Sequence, residues 1–350
     1  MMSYAGLTRR LAVSVLPALG ISLILPPPAR AALTFQFTYD GSYYALSPNA
    51  QTQISTALTT VASEYAAAIS NTMTVDIQIG WGTIAGSASS MPSGAVGYTL
   101  DNYYTGLTYS NVRSYLSSFG GAMPLTNPTT ASNIYIPNAE AKALGLTTNT
   151  QLDGYIGFAS GVGWTFDDTN GVAANTYDFM GVAKQEIGHV LGRISGLTVA
   201  NSIFAYPLDF FRYSGKGVTT FTYKAAAYAS INSGNTSLGT LDDTGADASD
   251  WLNNVNCSTV KQTVMLDAEN AVLCPGNVLT LSPQDLTVLH TLGYVMTGDT
   301  TNLDSTAVTP YGATIATTPE PAGLSVLALG GMVLFRLRRR RGQTNPAHAA

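Results

Sequence analysis

Charge is scarce in this chain: Asp, Glu, Lys and Arg together make up 11% of 350 residues. Basic residues are scarcest in the body of the chain. Residues 32–318 hold eight (Arg113, Lys142, Lys184, Arg193, Arg212, Lys216, Lys224 and Lys261) against 20 acidic ones. That balance excludes a polyanion such as nucleic acid as a partner. Histidine is limited to His189, His290 and His348, which leaves few candidates for an imidazole ligand. Cysteine is limited to Cys257 and Cys274. In an oxidising compartment, two cysteines 17 apart in a loop-rich stretch are expected to pair rather than bind zinc. Closing such a loop is worth about 3 kcal/mol in chain-entropy terms.

Long apolar runs are also missing, and the two short ones lie at the ends. Arg9 and Arg10 precede the run Leu11–Leu25, and Ala29-Arg30-Ala31 offers an A-x-A cleavage site. The pattern is that of a secretory signal peptide over residues 1–31, with the mature chain starting near Ala32. At the other end Pro319-Glu320-Pro321 precedes the run Ala322–Phe335, and Arg336 and Arg338–Arg341 follow. Fourteen helical residues reach about 21 Å, short of the roughly 30 Å hydrocarbon core unless the arginines snorkel to the headgroups. The order of these three parts resembles the PEP-CTERM sorting tail of Gram-negative bacteria. The resemblance implies export across the inner membrane, transient anchoring there, and processing by an exosortase-type enzyme near Pro319–Pro321.

Between the ends the hydrophobic period alternates between two and 3.6. Leu33–Asp40 and Thr74–Gly80 read as strands, and Asn49–Ser70 reads as a long amphipathic helix on Ile54, Leu58, Val61, Tyr65 and Ile69. Trp81–Tyr104, rich in Gly, Ser and Tyr, reads as a surface loop. Ser132–Ile136 and Asp153–Ala159 are further short strands, and Ser110–Phe119 and Ala139–Leu144 are short helices. Ser282–Leu292 carries Ser, Pro and Asp285 at the N-cap, N1 and N3 positions of a helix. The fold class is α+β: a small twisted sheet, a long backing helix and a second, polar-faced helix, then a mostly irregular C-terminal part. The expected organisation is a signal peptide (1–31), a sheet-bearing part (32–196), a C-terminal subdomain (197–296), a linker (297–318) and a sorting tail (319–350).

The polar-faced helix is Tyr177–Arg193, YDFMGVAKQEIGHVLGR. Met180, Ala183, Ile187, Val190, Leu191 and Ile194 share one face, while Gln185 and His189 stack on the opposite one with Glu186 on the flank. Position 185 should therefore point away from the core. Gln185-Glu186-Ile187-Gly188-His189 differs by one letter from H-E-x-x-H, in which two imidazoles on one face hold zinc and the Glu is the general base. A buried helix whose Gln, Glu and His bond to neighbours is the plainer alternative, with Glu186 paired to Arg193 or Lys184.

Together with Asp153–Phe158, Tyr177–Phe179, Leu208–Ser214, Asp250-Trp251 and Asp285…Leu289…Leu292-Gly293-Tyr294, this segment resembles metzincin-like zinc metalloproteases that carry PEP-CTERM tails. The resemblance implies an exported zinc-dependent endopeptidase acting on a peptide or protein substrate, with Glu186 as catalytic base and His189 and Gln185 as metal positions. Gln185 stands where the family has its first His, and Ser195 where a metzincin has its third ligand, so the site is expected to be weakened. Asp209 is the candidate for an additional ligand, with an Asp209–Arg212 surface pair as its alternative. An inactive, cell-surface or matrix binding protein of the same fold is the alternative for the whole chain. Asp242, Asp243, Asp247 and Asp250 lack the spacing of a calcium loop and read as a solvated acidic loop.

Both end signals are testable together. Intact mass of the chain isolated from its native host should show loss of about the first 31 residues and of the part beyond Pro319–Pro321. A full-length cytoplasmic product would refute both readings.

Overall fold

The computed structural model describes residues 33–297, apart from 87–88, 132, 199, 201–203, 254 and 263. The expected signal peptide, the expected sorting tail, His348 and all but the first residue of the expected linker lie outside the described residues. Among the described residues no helix is long and apolar enough to cross a membrane.

The fold is α+β, with several small sheets and few helices. Its central sheet contains β1 (Thr34–Tyr39), β2 (Thr74–Trp81), β3 (Gly97–Asp101) and β4 (Gly154–Phe158), in the order β1-β2-β4-β3. The first three strands in that order run parallel, and β3 closes one edge antiparallel to β4, with Thr99 opposite Ile156. A parallel β1–β2 pair requires a crossover. The crossover here is α1 (Pro48–Ala68), started by Pro48 at N1 and by Ser47, whose Oγ accepts the amide of Ala50. Ile54, Leu58, Val61 and Tyr65 recur every three or four residues and are fully buried. Burying each aliphatic side chain of this stripe stabilises by about 1.5–3 kcal/mol.

Strand β3 falls inside the stretch that reads as a loop. Gly97-Tyr98-Thr99-Leu100-Asp101 is a poor strand by composition, but β4 supplies backbone partners along its whole length. Pairing and the packing of Val96 and Leu100 override the weak local preference.

The same stripe of α1 reaches α2 (Phe179–Val190): the Tyr65 hydroxyl donates to the Lys184 carbonyl at 2.7 Å. The later part of the chain is more regular than expected. Arg212–Gly215, Val218–Thr219, Ala227–Ala229 and Gly239–Leu241 make a four-stranded antiparallel sheet. The helix α3 (Pro283–Thr291) starts with a full capping box: Ser282 Oγ accepts from the Asp285 amide, and Asp285 Oδ2 accepts from the Ser282 amide. Leu241, Trp251, Leu266, Leu279 and Val288 belong to the same buried cluster as Ile77, Ile156 and Ile187, so both parts share one core. Cys257 and Cys274 are joined as a disulfide.

One buried acid stands apart. Glu140 lies on the short helix Asn138–Ala143, is fully buried, and neither carboxyl oxygen has a hydrogen-bond partner. It rests against Gly192, which has φ +105° and ends α2; a Cβ there would come within 2.8 Å of Glu140 Oε2. Burial pushes the Glu140 pKa well above its ordinary 4.5. A carboxyl with a raised folded pKa binds its proton more tightly when folded, so its contribution is lost as pH rises above the unfolded value. We expect the Tm of Glu140→Gln, relative to the parent, to shift in the variant's favour as pH is raised from about 4.5 to about 8. A Tm difference independent of pH would show that Glu140 is not held protonated.

Candidate metal centre

The start of α2 is fixed by aromatic packing. Phe179 lies within 4.5–6.3 Å, ring centre to ring centre, of Phe158, Phe166, Trp164 and Trp81. Asp178 precedes it and accepts the amide of Leu279 at 2.9 Å. The helix ends at Gly192, whose positive φ a side chain would resist. Every residue of α2 is buried, including Gln185, Glu186 and His189. The expectation that position 185 points away from the packed interior is therefore corrected. Residues 250–251 and 267–270 lie over the polar face as a second layer.

Glu186 is held by the edge strand. Its Oε2 accepts the Thr99 hydroxyl at 2.7 Å. Gly97, two residues earlier on β3, lies so close that a Cβ there would overlap Glu186 Oε1. Neither cation named as an alternative partner is used. Lys184 pairs with Glu64 at 3.1 Å, and Arg193 pairs with Glu269 and Asp285, each at 3.0 Å. Burial raises the Glu186 pKa to about 7, against the opposing pull of His189 and the Thr99 hydrogen bond.

His189 and Gln185 converge on one carboxylate. His189 Nε2 lies 3.2 Å from Asp250 Oδ1 and 3.7 Å from Glu269 Oε2. Gln185 Nε2 donates to Asp250 Oδ2 at 3.0 Å and to the Asn270 carbonyl at 3.3 Å. Asp250 and Glu269 are brought together by backbone pairing around Trp251. Its amide donates to the Glu269 carbonyl at 2.8 Å, and its carbonyl accepts from Ala271 at 3.0 Å. His189, Asp250 and Glu269 each offer one ligand atom, all within 4.8 Å of one another.

Behind this trio lie Arg193, Trp251 and Asp285. The Arg193 guanidinium is 1% exposed, sits 4.3 Å from the centre of the Trp251 ring, and reaches both Glu269 and Asp285. Asp285 Oδ1 also accepts the Trp251 indole N–H at 2.7 Å. Removing Arg193 would leave two buried carboxylates uncompensated, a loss of about 3–5 kcal/mol. Burial lifts Asp250 to about 6 and Asp101, beside Glu186 and His189, to about 8. Burial opposes a charged His189, but Asp250 and its acidic neighbours raise the His189 pKa well above normal.

The other candidates lie elsewhere. Asp209 is not a ligand of this centre: Oδ1 accepts the Ser195 hydroxyl at 2.5 Å, and Oδ2 accepts the amides of Tyr206 and Gly196. It is the N3 residue of the 3-10 turn Pro207–Phe211, with Pro at N1. That is the same Pro-x-Asp signature that marks the start of α3, and it could have been read from sequence. The surface Asp209–Arg212 pair is also absent, since both residues are buried and Arg212 donates to the Ala248 carbonyl. His290 Nδ1 lies 2.9 Å from the Tyr294 carbonyl and packs on Phe119, away from the centre. The acidic stretch 242–250 is not uniformly solvated. Asp242 is buried and bonds the amides of Thr244, Gly245 and Ala246, Asp247 bonds Ser249, and Asp250 faces His189. Glu269 carried no sequence signal at all.

The donor set fits a divalent cation. One imidazole and two carboxylates face one another. Glu269 Oε2 is buried, 3.0 Å from Arg193 Nε and 3.7 Å from His189 Nε2. Asp101, Glu186, Asp250, Glu269 and Asp285 outnumber His189 and Arg193, the two cationic groups among them. Uncompensated buried charge of this kind costs several kcal/mol per ion unless it is protonated or paired.

Gly188 tests how closely this layer is packed. A Cβ at position 188 would overlap Glu269 Oε1. Helix propensity alone would favour Gly188→Ala by about 1 kcal/mol. Glu269 has no room to swing into water, so overpacking of about 1–3 kcal/mol should dominate. We expect Gly188→Ala to lower the Tm, and a raised Tm would show that Glu269 does not lie on the helix backbone. Comparison of the chain with family models, curated proteins and solved structures finds no match in any of the three.

Proposed function

We propose that this chain is an exported, metal-dependent endopeptidase of metzincin-like fold, in which Glu186 is the general base. One observation carries the reading. Glu186 is fixed by Thr99 and sits one helical turn from His189, which faces Asp250 and Glu269. The backing helix, the antiparallel edge strand and the buried Q-E-I-G-H helix are compatible with that fold. A bound cation, zinc by resemblance, would be held by His189, Asp250 and Glu269 and would supply Lewis-acid polarisation of the scissile carbonyl. Glu186 takes a proton from the attacking water and returns it to the leaving amine. Its pKa of about 7 lets one carboxyl do both. Thr99 holds Glu186 Oε2 through its hydroxyl, and Gly97 leaves room for Oε1 against the same strand. A peptide is the substrate class; export and membrane sorting follow from the two end signals.

A second reading keeps the fold without catalysis, as a binding protein at the cell surface. It is favoured by the Asp250 carboxylate, which spans Gln185 and His189 in the space between the two motif positions. The two readings separate on purified chain. The peptidase reading predicts zinc near one equivalent by elemental analysis. It also predicts peptide cleavage that Glu186→Gln reduces by about 10²–10⁴-fold. Zinc near zero after supplementation, with no loss of stability on chelation, would leave the binding reading standing.

A further inference from the structure

Gln185 reads from sequence as a lost ligand, but its surroundings give it a different part. The side chain is 6% exposed, and its Nε2 faces two acceptors, Asp250 Oδ2 at 3.0 Å and the Asn270 carbonyl at 3.3 Å. An amide nitrogen has two hydrogens, so each acceptor takes one. Turning the amide over would set its oxygen against both acceptors, so the bonding pattern fixes its orientation. The other oxygen of Asp250 faces His189 Nε2 at 3.2 Å. The two residues one turn apart on α2 thus hold Asp250 from both ends.

The chemistry suits a ligand holder. A carboxylate on a short side chain can rotate about two bonds; the Gln185 amide at Oδ2 fixes it and leaves Oδ1 facing His189 Nε2. Glutamine does this without adding charge, so Asp250 keeps its full negative charge for a cation. Lysine or arginine at the same place would neutralise it. On the other side, Arg193 Nε steadies Glu269 as an ion pair, 3.0 Å from Oε2, the oxygen that also faces His189 Nε2 at 3.7 Å.

We propose that Gln185 is a positioning residue: its amide holds Asp250 as the carboxylate ligand that replaces the imidazole missing from the H-E-x-x-H pattern, completing a His189–Asp250–Glu269 cation site. The proposal rests on the reading above that the chain uses a divalent cation.

The test is a double-mutant cycle on the full chain. Apo protein is titrated with Zn²⁺ against a competing chelator and with Co²⁺ followed by its visible spectrum. The chains are the parent, Gln185→Met, Asp250→Asn and the double variant, and the Tm of each apo chain is recorded. Gln185→Met keeps the length of the side chain and removes the donor. It should weaken Zn²⁺ by about 10–100-fold, the usual range for an outer-shell partner. It should also shift the Co²⁺ bands, because the geometry at Asp250 changes. In the Asp250→Asn background the same substitution should cost little more, since the residue it acts through has lost its charge. Should Gln185→Met not yield folded chain, Gln185→Asn keeps an amide one methylene too short to reach both acceptors and enters the same cycle.

Parent-like Zn²⁺ affinity in Gln185→Met, or losses that simply add in the double variant, would overturn the proposal and leave the metal-dependent reading intact. So would a Gln185 variant with a lower Tm but an unchanged Co²⁺ spectrum and Zn²⁺ affinity. A parent chain that takes up neither Zn²⁺ nor Co²⁺ would overturn both.

Discussion

The structure around α2 is governed by the burial of negative charge. Asp101, Glu186, Asp250, Glu269 and Asp285 are all buried around the helix, and the low polarisability of the interior makes each of them costly unless it is bonded, protonated or paired. The chain meets this cost in three ways. Arg193 spreads one guanidinium over Glu269, Asp285 and the face of Trp251. Backbone and hydroxyl donors take up others, as Thr99 does for Glu186 and the Ser282 amide for Asp285. Burial raises the remaining pKa values toward neutrality, as at Asp101 and Glu186.

Asp285 shows how closely fold and centre are joined. One oxygen caps α3, and the other binds both Arg193 and the Trp251 indole. A single side chain therefore starts a helix, anchors the counter-ion of Glu269 and fixes the segment that carries Asp250. Close approach is made possible by missing side chains: Gly97 lets the edge strand come up to Glu186, and Gly188 lets Glu269 lie on the helix backbone. These glycines serve space rather than conformational freedom, since neither has a positive φ.

The centre is built from segments with very different local preferences. The helix supplies Glu186 and His189 on a strongly periodic stretch, whereas Asp250 and Glu269 come from short segments paired around Trp251. The donors that aim the carboxylates come from a third source, the edge strand and the helix itself. Such an arrangement concentrates polar groups where the core is otherwise apolar, a departure from purely structural packing that is usual at functional sites.

What the sequence determined by itself was local. The 3.6-residue stripes of α1 and α2, the alternation in β1 and β2, the Ser-Pro-x-Asp start of α3 and the pairing of Cys257 with Cys274 were legible because each depends on neighbours in the chain or on a pair with no other choice. The placing of Glu186 and His189 on one helix was legible for the same reason. What only the tertiary structure decided was long-range. Strand β3 exists because β4 lies beside it, and composition alone gave a loop. Asp250 meets His189 across 61 residues, and Glu269 from farther still, with no periodicity linking them. Asp209, a candidate ligand by sequence, instead caps the turn of its own segment. The polar face of α2 was visible in the sequence, but whether it would meet water or a second buried layer depended on where the later chain folded back, and that is settled by packing rather than by pattern.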